Sequence, residues 1–67
     1  MTVARATKVT ASSPIGFQDA IDNALARAAQ TPRSISGLEV IAQKAKVEDG
    51  KTVEYRATVE VTFILEG

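Results

Sequence analysis

The chain reads as an α+β protein of order β-α-β-β, with one helix packed on a three-stranded antiparallel sheet of strand order 1-3-2. Three observations carry this reading. From Val53 to Leu65 every odd position is apolar (Val53, Tyr55, Ala57, Val59, Val61, Phe63, Leu65) and nearly every even one is polar. That is the period-2 mark of a strand with one buried face. Phe17, Ile21, Ala24, Leu25 and Ala28 recur at helical spacing. Asp49-Gly50 stands between two alternating runs, which is the strongest short-range hairpin signal.

The first strand is placed at residues 3–11, "VARATKVTA". It alternates weakly, with Ala4, Ala6 and Lys8 on one side and Val3, Thr7, Val9 and Ala11 on the other. The helix is expected to begin at Ser13-Pro14, with Ser13 as N-cap and proline at the first helical position, where its missing N–H costs nothing. Asp19 and Asp22 toward the start and Arg27 toward the end suit the helix dipole. Pro32 disfavours the helical conformation at Thr31 and stops the helix near Gln30. "RSISG" reads as a loop.

A two-residue turn at Asp49-Gly50 sets Glu48 against Lys51, and the ladder follows from there; a four-residue loop keeps the same pairs, whereas a one-residue bulge at Gly50 would slip them. Leu38, Val40 and Ala42 then face Val61, Val59 and Ala57 on the core side. On the other face Gln43 opposes Arg56, Ala45 opposes Glu54, Ile41 opposes Thr58 and Glu39 opposes Glu60. The last strand carries the cleanest alternation and takes the middle of the sheet, with the first strand antiparallel to it on the far edge.

The 67 residues form one domain, 1–67, with eight basic and eight acidic side chains and no cysteine or histidine. A chain this short buries only about 60% of its unfolded surface. Small domains commonly gain stability from disulfides, metals or self-association. Without cysteine there is no disulfide and no thiolate site. Without histidine the commonest general base and transition-metal ligand are absent. The basic residues lie scattered among acids, unlike the stripe of a nucleic-acid module, so no nucleic-acid partner is expected. The start, "MTVARATKVT", lacks a signal-peptide core, and no apolar run approaches membrane-spanning length. A cytoplasmic protein without a membrane partner is expected.

Strand 53–65 would run ~43 Å at about 3.3 Å per residue. A helix of about 17 residues covers only ~25 Å. The strand ends, Phe63 and Leu65 or Val53 and Tyr55, therefore need another cover. Ile41, Ala45 and Val47 add apolar side chains on the face away from the helix. The economical partner is another copy of the same chain, against the plain alternative of frayed strand ends and ordinary exposed apolar residues.

The order of a short alternating strand, "ASSP", "ALARA", "T-x-R" at Thr31 to Arg33, "LEV", "DGK" and "EYRATVEVTF" resembles the dodecin family over essentially the whole chain. The resemblance implies a hollow homododecamer of cubic symmetry that stores a small ligand, typically FMN or riboflavin bound as stacked pairs. In typical members a tryptophan before the second strand stacks on the flavin ring. Aligned by "LEV", its place here is Gly37, and the chain has no tryptophan. A glutamine after the tyrosine of the third strand bonds the flavin's pyrimidine edge; its place here is Arg56. The same double change resembles the tryptophan-less branch called calcium dodecins.

Arg56, Gln43 and Gly37 are thus the candidate ligand-binding positions, at the place of the family's flavin pocket. An arginine there would suit a carboxylate, a phosphate or a ring face; alternatively it pairs with Glu54, Glu60 or a neighbouring subunit's acid. Glu39 opposite Glu60 is an unfavourable like-charge pair, which calcium would relieve and water alone would also tolerate. No catalytic residue is assigned and no enzyme is expected. The leading expectation is a storage shell with weak or absent flavin binding. The alternatives are a flavin binder using Tyr55 or Phe63 as substitutes, a cation-binding dodecin, and a small adaptor that adds a strand to a partner.

Overall fold

The computed structural model describes the backbone of residues 2–30 and 34–66 and the side-chain surroundings of residues 3–30 and 34–64. Strand β1 (Thr2–Ser13), helix α1 (Phe17–Ala28), strand β2 (Ser34–Glu48) and strand β3 (Lys51–Glu66) follow one another along the chain. The sheet has the order β1-β3-β2, and both neighbours run antiparallel to β3. The α+β, β-α-β-β architecture read from the alternation is the one observed.

The molecule is long and thin, 53 × 18 × 12 Å, with a Cα radius of gyration of 13.9 Å. A compact chain of this length has a radius of about 11 Å. Its length is that of β3, since the strand's 16 residues at ~3.3 Å each account for the long dimension. Helix α1 has 12 residues, or ~18 Å of rise, and covers about a third of it.

The helix begins later than the Ser-Pro start suggests. Ser13 is the last residue of β1, paired with Tyr55, and Gly16 is the N-cap. The first helical bond runs from the Ala20 N–H to the Gly16 carbonyl at 3.1 Å. Ser13 still organises the turn. Its Oγ accepts the Ile15 N–H at 2.9 Å and donates to Asp19 Oδ2 at 2.6 Å, which satisfies a hydroxyl that is almost fully buried. The β-ladder holds Ser13 extended, so Pro14 turns the chain outside the helix and Phe17 opens it. The ring of Phe17 then meets that of Tyr55 edge-on at 5.0 Å. At the other end the Gln30 N–H bonds the Arg27 carbonyl at 3.3 Å, a tightened last turn. Thr31, Pro32 and Arg33, and with them the expected proline stop, lie outside the described residues.

The buried face of α1 is Ala20, Ala24 and Ala28. Leu25, expected in the stripe, is exposed and Ala20 takes a core place. Alanine lets the helix axis approach β1 and β3 closely. Beneath it Ala57, Val59 and Val61 have no exposed surface, and Phe63 has 5%. Val9, Ala11, Ile21, Ile35 and Leu38 pack around this cluster. The odd residues of β3 thus face the helix, as their alternation requires. Phe63 is covered within the chain and Tyr55 is half-covered by Phe17, while Val53 stays open. The side chain of Leu65 lies outside the described residues.

The hairpin turn is the expected one. Asp49 (φ 52°) and Gly50 (φ 74°) are both left-handed, the type I′ signature, and Glu48 faces Lys51. Beyond it the ladder departs from uniform pairing. Val47 faces Thr52 but Lys46 faces Glu54, so β3 holds an extra residue at Val53. Val40 then faces Val59 while Ala42 faces Thr58, so β2 holds an extra residue at Ile41. The two bulges cancel. Leu38–Val61, Glu39–Glu60 and Val40–Val59 therefore pair as expected, while every pair between the bulges is shifted by one. A third irregularity lies between Ile35 and Gly37.

Candidate functional site

Because the odd residues of β3 face the helix, its even residues form the open face of the sheet. Reading across from β1 through β3 to β2 gives its rows. Ala6, Thr62 and Gly37 form one row; Lys8, Glu60 and Glu39 the next; then Thr10, Thr58 and Ala42; then Ser12, Arg56 and Lys44. Glu54 and Lys46 close the face near the turn. The Thr10 and Thr58 hydroxyls bond each other at 2.9 Å and tie the two strands at mid-face.

The bulges decide which side chains accompany Arg56. The uniform ladder sets Gln43 beside it, but the extra residue at Ile41 moves Gln43 opposite Ala57, on the helix side. Lys44 takes the place beside Arg56 instead. In the same way Ala45 pairs with Tyr55 and not Glu54, so its methyl is on the helix side, and Ile41 is unpaired and not opposite Thr58. Ala42, expected opposite Ala57 in the core, stands on the open face opposite Thr58. Lys44, Ala45, Lys46 and Arg56 line a shallow depression of about 310 Å³. Lys44 and Lys46 escape an analysis of sequence because nothing in "AQKAKVEDGKTVEYR" marks bulges at Ile41 and Val53.

Arg56 Nε donates to Glu54 Oε1 at 2.7 Å, two residues along the same strand face. This hydrogen bond, together with the charges of Arg56 and Lys46, holds the Glu54 carboxyl below the usual carboxylate range. Lys46 Nζ lies 3.6 Å from Glu48 Oε1, an exposed and loose pair. Of the expected partners of Arg56, Glu54 is the one it reaches.

Gly37 sits on the open face opposite Thr62. A Cβ built there would meet no atom within 4 Å, and its φ is not left-handed, so the backbone accepts a side chain. It is separated from Arg56 by the stretch of β3 from 56 to 62, ~20 Å at about 3.3 Å per residue. One subunit therefore does not bring Gly37 and Arg56 together. Glu39 and Glu60 do lie opposite each other, and Lys8 faces Glu60 from the other edge. Among the described residues no group of three or more acidic or metal-ligating side chains converges, and no helix is long and apolar enough to cross a membrane.

A long, two-layered β-α-β-β unit with its helix over β1 and β3 and an open, charged opposite face defines a class of very small sheet proteins. The sequence profile of the family described as Dodecin matches residues 3–66. The chain belongs to the dodecin family. A variant of the Thermus thermophilus dodecin is similar over 100% of both chains, at 31% identity and a TM-score of 0.92. The dodecin from Streptomyces coelicolor is similar over 98% of this chain and 94% of its own, at 33% identity and a TM-score of 0.89. The calcium-chelating calcium dodecin of Mycobacterium tuberculosis is similar over 96% and 91%, at 26% identity and a TM-score of 0.81. No curated protein sequence matches the chain.

Proposed function

We propose that this chain assembles into a hollow homododecameric shell that holds a small ligand without catalysing a reaction, and that it binds flavin weakly or not at all. The carrying observation is the open face itself. The position at which family resemblance puts the stacking ring is Gly37, with empty space above it. The position of the pairing glutamine is Arg56, whose guanidinium already engages Glu54. Aromatic stacking contributes ~1–3 kcal/mol per ring in other systems, and glycine offers none. Substitute aromatics are not available on that face, since Phe63 is in the core and Tyr55 packs against Phe17.

Assembly is supported by the shape. Val40, Ile41, Val47 and Val53 are 38–59% exposed on a sheet that the helix covers only in part. A chain without disulfides has few other sources of stability at this size. A cysteine-free chain needs no oxidising compartment, and we assign it to the cytoplasm. Native mass spectrometry of the purified protein tests the reading. The expected species has about twelve times the 7.1 kDa chain mass and no retained flavin. A monomer or dimer at micromolar concentration would overturn it.

A second reading is cation binding. Glu39 and Glu60 oppose each other in register, and one of the similar structures is a calcium-chelating dodecin. Two carboxylates with Lys8 beside them are short of the 6–8 oxygen ligands that calcium takes, so further ligands would come from water or another copy. Calorimetric titration with calcium, repeated on Glu60→Gln, tests it; an unchanged isotherm removes these residues from the reading.

A further inference from the structure

We infer that the β2–β3 hairpin has two registers, the bulged one observed and a uniform one, and that exchange between them changes which side chains β2 presents on the open face. The two bulges are opposite defects on one ladder: β3 carries an extra residue at Val53 and β2 one at Ile41. Beyond them the pairing is the same in both registers, anchored by Glu48–Lys51 at the turn and by Val40–Val59 in the core. Pairing Ile41 with Thr58 and Lys46 with Val53 removes both bulges at once, and only the stretch from Ala42 to Lys46 slides, by one residue. The β1–β3 ladder, regular from Thr2–Glu66 to Ser13–Tyr55, takes no part.

Three features bring the two registers close in free energy. Burial does not choose between them: Gln43, Lys44, Ala45 and Lys46 are all exposed and Ala42 is half-buried, and register is weakly specified where neither face of a strand is covered. Sliding sets Ala42 beside the buried Ala57 in place of Gln43, so no large side chain enters or leaves the core. In addition, β2 is an edge strand, so a single ladder opens and re-forms, and the uniform ladder regains the pairing that each bulge interrupts. Finally, the cross-strand charges offset. The bulged register gains Lys46 opposite Glu54 and bears Lys44 opposite Arg56, whereas the uniform one replaces them with Ala45–Glu54 and Gln43–Arg56. Favourable and unfavourable charge pairs of this kind are of similar size. Because the side-chain period is two, the slide carries Lys44 and Lys46 to the helix side and Gln43 and Ala45 to the open face. The open face thus alternates between a form with these two cations and a form without them.

The chain has no cysteine, so engineered pairs report register without interference. In the intact protein, Lys44→Cys with Arg56→Cys traps the bulged register, where the two positions are directly opposite. Gln43→Cys with Arg56→Cys traps the uniform one, because in the bulged register residue 43 points to the other face and its Cβ cannot meet that of residue 56. Lys8→Cys with Gln43→Cys is the control, since β3 separates β1 from β2 in either register. All these positions are exposed, so the variants keep the fold. Under mild oxidation, with bridges within one chain counted by mass after denaturation, both pairs with residue 56 should close and the control should not. Adding Lys46→Ala to the Gln43→Cys, Arg56→Cys variant removes the Glu54 partner of the bulged register and should speed closure roughly two- to fivefold. Closure of only one of the two pairs means a single register and overturns the inference. So does closure of the 43–56 pair no faster than the control, or at a rate that Lys46→Ala leaves unchanged.

Discussion

Replacing Val59 with aspartate should abolish folding and assembly together. Val59 is fully buried at the centre of β3, between Val9 and Val40 on the flanking strands and beneath the Ala24 side of the helix. Removing a fully buried valine forfeits about 1.5–3 kcal/mol. Burying a carboxylate without a partner costs several kcal/mol more, or forces it to stay protonated. A 67-residue domain has ~3–10 kcal/mol of stability in total, so the two losses together remove most or all of it. The control is Thr58→Asp, one step along the strand on the open face, which loses the exposed hydroxyl pair with Thr10 at a cost of about 1 kcal/mol. Circular dichroism and light scattering, both at one fixed protomer concentration because assembly and folding are linked, should show Val59→Asp unfolded or aggregated. Thr58→Asp should keep the native size. A soluble, normally sized Val59→Asp protein would mean that the faces of β3 are assigned the wrong way round.

Riboflavin or FMN mixed with the native protein should keep most of its fluorescence, and Gly37→Trp with Arg56→Gln should restore quenching, since the space above Gly37 is open. Tight quenching by the native chain would show that another contact replaces the missing ring. Gly50→Ala should cost about 1–2 kcal/mol in denaturant unfolding, because Gly50 has φ 74° and a Cβ is disfavoured there; no change would mean that the turn relaxes to another type. The Glu54 carboxyl is held below its usual range by Arg56. Its contribution to stability is therefore present above the unfolded-state value and lost as pH falls through the lowered folded-state value. Glu54→Gln should flatten that acid-side part of the stability profile slightly, the pair being exposed, and an identical profile would remove the pair from the account.

The sequence alone determined what depends on periodicity and turn chemistry. Odd against even residues of β3 separate core from open face, and no register error on a neighbouring strand changes that. Asp49-Gly50 marked the hairpin turn, because few other residue pairs tolerate two consecutive left-handed conformations, while the structure decided that the turn is type I′ without a bulge at Gly50. The middle place of β3 followed from its length and clean alternation, while Gly37 and Arg56 entered the proposed ligand site through the family resemblance. Tertiary structure alone decided the rest. Ser13 belongs to β1 and not to the helix because its pairing with Tyr55 outweighs a local capping preference worth ~1 kcal/mol. Ala20 takes the place expected of Leu25 in the buried stripe because the helix sets its Ala20, Ala24 and Ala28 face on the sheet, which leaves Leu25 at the exposed edge. The bulges at Ile41 and Val53 exchange Gln43 for Lys44 beside Arg56. A strand has a side-chain period of two, so a single inserted residue moves every following side chain to the other face, and that insertion leaves no mark on the local composition.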